Sequence, residues 1–136
     1  MSARSVVQFR VRYCETDQMG TYSNSRVLEW FECGRTELFR TIGLAYAEME
    51  RRGVMLPVIE ASIKYTGRAK YDDLLRMTTT CTMIGKVRIR CDVKIVHAET
   101  NQPVAEGYTI HAFTNAAGEV IRPPEWLIGN LESASS

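Results

Sequence analysis

Nothing in this 136-residue chain approaches the roughly 18 consecutive apolar residues of a membrane span, and Met1 to Arg10 contain no apolar run of signal-peptide length. A cytoplasmic protein is expected. An excess of one charge is also missing: 17 Lys and Arg against 16 Asp and Glu leave a formal charge of +1. That balance offers no bulk attraction to nucleic acid or to an acidic membrane, and aromatics are not interleaved with the basic residues. The four cysteines (Cys14, Cys33, Cys81, Cys91) form no C-x-x-C pair, and a chain of this size needs no staples, so they read as reduced thiols. Histidine is scarce, with only His97 and His111, both far in sequence from any nucleophile. A Ser-His-Asp triad is therefore unsupported. With no G-x-S-x-G, H-E-x-x-H, Gly-rich phosphate loop or clustered Cys/His, the α/β-hydrolase, zinc-enzyme and nucleotide-fold readings fall away.

What is present is the composition of an ordinary globule, 45% hydrophobic and 24% charged, at a length that suits one domain. Val7, Phe9, Val11 and Tyr13 alternate with Gln8, Arg10 and Arg12, which predicts a first strand with one dry face. Cys14 to Tyr22 lose the alternation and read as a loop. From about Asn24 to Ile42 the period becomes helical: Val27, Leu28, Phe31, Gly34, Leu38, Phe39 and Ile42 share a face that Trp30 and Cys33 widen. Ser23, Asn24 or Ser25 can cap its start, and Gly43 can end it. Ala45 to Arg52 predict a second, shorter helix closed by Gly53.

Everything afterwards reads as strand. Ile59, Ala61, Ile63 and Tyr65 form one alternating set; Leu75, Met77, Thr79, Cys81 and Met83 the next; Val87, Ile89, Cys91, Val93 and Ile95 the third. A last strand runs near Val104 to Thr114, Pro123 to Leu131 suggest a short helical turn, and Glu132 to Ser136 are expected to fray. Strand, long helix, short helix, then four strands on short connections point to an α+β fold with an antiparallel sheet curved around the long helix.

Asp17 leads the candidates for chemistry, because it sits in the loop that delivers the chain to the long helix. An Asp there is also the ordinary residue of an Asx-turn or cap. A catalytic role needs a carboxylate able to attack or to activate water, beside N–H groups that stabilise an oxyanion. A helix start near Asn24 supplies such donors. Cys14 is a weaker nucleophile candidate with no histidine placed beside it. Lys86, Arg88, Arg90 and Lys94, with Asp92 among them, share one strand face that reads as solvated or phosphate-binding; Arg68, Lys70 and Arg122 are further loop cations. Glu32 and Arg35, one turn apart near the apolar face, read as a helix-surface ion pair, with the Glu32 carboxylate serving a site at the helix as the alternative, ranked behind Asp17.

Tyr13-Cys14-Glu15-Thr16-Asp17-Gln18-Met19-Gly20, Leu28-Glu29-Trp30-Phe31-Glu32 and Gly34-Arg35 resemble the opening of the hotdog-fold acyl-CoA thioesterases of the 4-hydroxybenzoyl-CoA thioesterase and YbgC-like group. The likeness continues through Tyr71-Asp72-Asp73 and Glu106-Gly107 to Gly118-Glu119-Val120-Ile121-Arg122-Pro123, covering Val7 to Pro124 in order. It implies a single hotdog domain over residues 1–136, with a core of about 5–124 and a tail of 125–136. The sheet would have five antiparallel strands, and subunits would pair edge to edge into a homodimer or a homotetramer. It further implies an acyl-CoA substrate, no metal or organic cofactor, and Asp17 as nucleophile or general base. Asn24, Ser25 and Gly20 become the oxyanion and substrate-positioning residues, the second subunit completes the pocket, and Lys86, Arg88 and Arg122 hold coenzyme A phosphates. Many relatives read Y-H-A-N-Y where this chain has Ser23-Asn24-Ser25-Arg26-Val27, so a frequent histidine is Asn24 here. The expected activity is acyl-CoA hydrolysis. Non-hydrolytic binding of acyl-CoA or an acyl carrier protein is the alternative, and a purely structural oligomer a third. Val58, Ile59, Tyr65 and Met83 either line an acyl pocket or fill the core.

Overall fold

The computed structural model describes residues 2–135. Alternating apolar residues produce five strands: β1 (Ser2–Arg10), β2 (Val58–Tyr65), β3 (Leu74–Ile84), β4 (Arg88–His97) and β5 (Pro103–Ala112). They form one antiparallel sheet in the order β1-β3-β4-β5-β2. Between β1 and β2 lie α1 (Val27–Thr41) and α2 (Tyr46–Arg51), and α3 (Glu125–Ser135) closes the described chain.

Helix α1 lies across β1, β3 and β4. Its first half buries Val27, Trp30 and Phe31 with Leu75, Met77, Val93 and Ile95, and its second half buries Leu38 and Phe39 with Cys81, Ile89, Cys91 and Phe113. Phe31 and Phe39 are fully buried, each contributing about 2–3 kcal/mol by area transfer. Gly34 marks the crossing between these halves, because a Cβ there would stand 2.5 Å from Thr79 Oγ1 and 3.0 Å from Met77 Cε. Only a glycine lets the helix lie this low on β3.

The helix ends as its sequence predicts. Gly43, at φ +83°, donates its N–H to the Arg40 carbonyl (3.1 Å), and the Leu44 N–H reaches the Phe39 carbonyl (2.7 Å), the paired bonds of a Schellman motif. Its start differs from expectation. No side chain caps α1; a 3-10 turn over Asn24–Arg26 leads into it, and Ser23 Oγ lies 3.0 Å from Ser25 Oγ instead of bonding the helix amides.

Several other expectations are corrected. Tyr13 is 77% exposed and belongs to a 3-10 turn, Tyr13–Glu15, after β1 has ended. Leu28 and Cys33 fall on the solvent side of α1. Arg35 is buried, with Nε donating to the Tyr46 hydroxyl at 2.7 Å in place of an ion pair with Glu32. Strand β2 has no dry face: Val58, Ile59 and Tyr65 are about half exposed, because the strand is an edge whose one neighbour is β5. The segment expected to fray past Leu131 is helical to Ser135, since Leu127 and Leu131 join the core around Phe39; Ser136 lies outside the described residues.

Candidate active site

The loop after β1 doubles back on itself. Thr16 bridges Tyr22, the Asp17 N–H donates to the Thr21 carbonyl (2.9 Å), and the Gly20 N–H donates to the Asp17 carbonyl (3.0 Å). Gly20 stands at φ +79°, a left-handed geometry that favours glycine. At this tip the Asp17 side chain makes an Asx-turn, its Oδ1 accepting the Met19 N–H at 2.9 Å. Its Oδ2 has no hydrogen bond among the described residues. The carboxylate is exposed on the wall of a groove of about 520 Å³, lined by Tyr13, Thr16, Asp17, Gln18, Gly20 and Tyr71. Thus the local turn uses one oxygen and leaves the other at an open groove.

Asn24 and Ser25 lie at the return of this loop. The Ser23 N–H is held by the Glu15 carbonyl (2.7 Å), and the Arg26 N–H begins the helical ladder on the Ser23 carbonyl (2.9 Å). The intervening amides, those of Asn24 and Ser25, have no acceptor among the described residues. The Tyr65 hydroxyl donates to the Asn24 carbonyl at 3.3 Å, tying this turn to the edge strand. Gly20 differs from the other two, because its amide is already committed to the turn and cannot point at a ligand.

The cations separate into two groups. The Tyr22 N–H donates to the Ala69 carbonyl (2.9 Å) and the Ala69 N–H to Thr21 Oγ1 (3.3 Å), so Arg68 and Lys70 flank the Asp17 hairpin. Lys86, Arg88 and Arg122 gather elsewhere, because the Phe113 N–H bonds the Val87 carbonyl and the Ile121 N–H bonds the Phe113 carbonyl, each at 2.9 Å. Sequence spacing leaves open whether Arg68, Lys70 and Arg122 converge; the backbone places Arg122 with Lys86 and Arg88 at one end of the sheet, apart from Arg68 and Lys70. That end is the far one: β3 pairs with Arg10 at Leu74 and finishes at Ile84, eleven residues of strand, or about 34 Å. Arg90 and Lys94 line a polar concavity of about 570 Å³ on the sheet's outer face, where Arg90 pairs with Asp92 (3.1 Å) and stacks on Tyr108.

Neither histidine approaches Cys14. His97 Nε2 lies 2.7 Å from the Arg68 carbonyl. His111 is fully buried, with Nδ1 2.9 Å from the Leu56 carbonyl, which can only accept, so Nε2 takes the Thr109 hydroxyl proton at 2.8 Å. Burial pushes its pKa down to about 4, against the raising effect of the Leu56 carbonyl and with some help from Arg35. The native state therefore holds His111 neutral, while the unfolded chain protonates it below about pH 6.5. About 3 kcal/mol of stability, present above that pH, is lost as pH falls toward 4. Urea titrations at intervals from pH 7 to 4 should show a steeper loss for the wild type than for His111→Gln; parallel curves would count against this role. Among the cysteines, partial burial and then Glu32 push the Cys33 thiol up, while the free thiol of Cys81 is raised by its hydrogen bond with Cys91 and by burial. Among the described residues no cluster of three His, Cys, Asp or Glu can hold a metal ion.

One residue of the site escaped sequence reasoning. Glu15 is buried, and its carboxylate accepts the Trp30 indole N–H (2.7 Å) and the Arg12 amide (2.7 Å). A glutamate three residues into a turn is the one local sign of it, since that spacing lets a carboxylate reach back to the turn's first amide.

A long helix held across a five-stranded antiparallel sheet in this order, entered through a carboxylate-bearing hairpin, is the hotdog class of fold. Residues 11–131 match the thioesterase-like superfamily, and the chain belongs to that superfamily. A Bacillus subtilis protein, YneP, provisionally named an acyl-CoA thioesterase, is 41% identical over 66 residues, 48% of each chain. The acyl-CoA thioesterase YbgC of Haemophilus influenzae is 37% identical over 71 residues, 52% of each chain. The alignments thus span about half the length of these curated relatives. Among solved structures, a 1,4-dihydroxy-2-naphthoyl-CoA thioesterase from Synechocystis superposes with a TM-score of 0.90 over 98% of both chains at 20% identity, a likeness of fold. Among the described residues no helix is long and apolar enough to cross a membrane.

Proposed function

We propose that this chain hydrolyses acyl-CoA thioesters to the free acid and coenzyme A. One observation carries the reading: the Asp17 carboxylate keeps an unbonded oxygen at an open groove while its other oxygen is fixed by the Met19 amide. Water is the second substrate. Asp17 either takes a proton from the water that attacks the thioester carbonyl, or attacks that carbonyl itself to give an acyl-aspartyl anhydride that water then hydrolyses to the free acid; in both, the coenzyme A thiolate leaves as the tetrahedral centre collapses. The Asn24 and Ser25 amides receive the oxyanion. A positioned general base contributes about 10²–10⁴-fold, and each oxyanion donor about 10²–10³-fold. Placing those two amides at the start of α1 adds the partial positive charge of a helix N-terminus.

Coenzyme A binding follows from the assembly. Strand β2 is an edge that exposes Val58, Ile59 and Tyr65, an unpaired surface suited to a second copy. Antiparallel pairing of β2 with its counterpart sets the Tyr65 end of one subunit against the Val58 end of the other. Tyr65 touches the Asn24 turn, while Val58 pairs with His111 beside Ile89, near the Lys86, Arg88 and Arg122 group. Each Asp17 groove is thereby served by the partner's cations, which hold the phosphates. Two such dimers pairing give the tetramer.

The test is thiol release from a panel of short, long, branched and aromatic acyl-CoAs. Saturable turnover of at least one class is expected. Binding of acyl-CoA with no thiol released would instead favour the non-hydrolytic module, which the Asx-turn on Asp17 and Asn24 at the frequent histidine position make the second reading.

A further inference from the structure

We infer that Glu15 is the positioning residue of this site, its buried carboxylate holding the Asp17 hairpin and the Asn24 and Ser25 amides in one register against α1. The inference rests on the thioesterase reading above. Glu15 stands where the loop's outgoing and returning arms meet. Its Oε1 accepts the Arg12 amide at 2.7 Å, and its Oε2 accepts the Trp30 indole at 2.7 Å and the Arg12 guanidinium at 3.2 Å. Its main-chain carbonyl takes the Ser23 N–H at 2.7 Å. The side chain thus fixes the arm that reaches Asp17 two residues later. The carbonyl fixes the arm that reaches Asn24 one residue later.

The anchor itself is buried and packed on two sides. Trp30 is 4% exposed, with Phe9 and Tyr22 rings at 5.1 and 5.4 Å from its own. Arg12 is mostly exposed, and its pairing with Glu15 adds little for that reason; the bonds from the buried indole and the turn amide decide the geometry. Burial pushes the Glu15 carboxyl up, but the bonds from the Arg12 amide, the Trp30 indole and the Arg12 guanidinium outweigh it and hold the group below the usual carboxylate range. Three N–H donors converge on this side chain, so only a group that accepts at both oxygens satisfies them all. An apolar side chain would fill the same space without fixing a direction, and burying a carboxylate is costly unless it is fully bonded. Orientation is what the charge supplies here. A catalytic group displaced by about 1 Å is enough to slow a reaction by about 10²-fold.

Glu15→Gln keeps the shape but turns an NH₂ toward one of the three donors. It is expected to lower kcat by about 10–100-fold with KM for acyl-CoA held within about twofold, because the register shifts and the binding surfaces do not. Trp30→Phe removes the indole bond from the other side and should give the same split. The double variant should lose less than the product of the two single losses, since both changes act through the one carboxylate. Melting curves correct each rate for the folded fraction, which is all that a merely structural glutamate would change. Hydrogen exchange supplies a readout apart from activity: the Met19 and Ser23 amides should exchange about tenfold faster in Glu15→Gln while the amides of β3 and β4 are unchanged. Unchanged exchange at Met19 and Ser23, or additive rate losses in the double variant, overturns the inference. So does thiol release that is lost in Asp17→Asn yet kept in Glu15→Gln, which leaves the thioesterase reading standing. No thiol release by the wild type removes that reading, and amide exchange at Met19 and Ser23 then decides the positioning by Glu15 on its own.

Discussion

Asp17→Asn is expected to lower kcat for the best acyl-CoA by about 10²–10⁴-fold while leaving the melting temperature within about 2 °C of wild type. The two halves of that expectation have separate physical grounds. Asparagine keeps a carbonyl oxygen where Oδ1 accepts the Met19 N–H, and asparagine makes Asx-turns as readily as aspartate. The hairpin through Thr21 and Gly20 therefore survives. What changes is the unbonded oxygen, replaced by an NH₂ that can neither attack a carbonyl nor accept a proton from water. Single-turnover thiol release and a thermal melt on the same preparation check both halves. Hydrolysis near the wild-type rate would remove Asp17 from the chemistry, and a large fall in melting temperature would show that its charge serves the fold instead.

Legibility of this chain from sequence follows burial within one subunit. Strands β3 and β4 were readable because Leu75, Met77, Thr79 and Cys81, and Ile89, Cys91, Val93 and Ile95, are all buried on the face that α1 covers. Their period of two reports a single, completed packing surface. Helix α1 was readable for the same reason, and its end because Gly43 takes a backbone geometry that other residues avoid. Strand β2 was recognised by its alternation, but the dry face that alternation promises is missing. Val58 and Ile59 face solvent, because β2 is an edge strand whose one neighbour is β5. Arg35 was misread for a different reason. Helical spacing puts it one turn from Glu32, yet its inward position brings it to Tyr46 on α2, a contact that local spacing cannot encode. Glu15 is the extreme case, because a carboxylate looks like surface until Trp30 is seen to deliver its indole N–H. Asp17 was legible as a position, at the entrance to α1. Which of its oxygens is free was not, since that depends on the turn made by Met19 and Gly20. The grouping of Lys86 and Arg88 with Arg122 likewise required the ladder through Phe113.

Gly107→Ala should lower the melting temperature by about 10 °C, which corresponds to about 3 kcal/mol in a chain of this size. Gly107 sits in β5 opposite Ile63 of β2 and Val93 of β4. A Cβ at this position would stand 2.0 Å from the Ser62 carbonyl oxygen and 3.0 Å from the Ile63 Cα, and both are backbone atoms that no rotamer change can move aside. Relief has one direction. Strand β4 is pinned between β3 and β5, while β2 is bonded to β5 alone, so β2 must move outward and surrender ladder bonds near Ser62. That strand also carries Tyr65, whose hydroxyl bonds the Asn24 carbonyl, and its free edge is the one proposed above for a second subunit. The same substitution should therefore weaken self-association and thiol release well below its melting temperature, as read by light scattering and by the acyl-CoA assay. Gly129→Ala is the control, because α3 gives its Cβ open space; alanine there is expected to be neutral or to stabilise by up to about 1 kcal/mol. A Gly107→Ala protein that melts with Gly129→Ala would show that β5 and β2 are not in this close approach. One that melts early yet keeps full association and turnover would separate the edge strand from the active site.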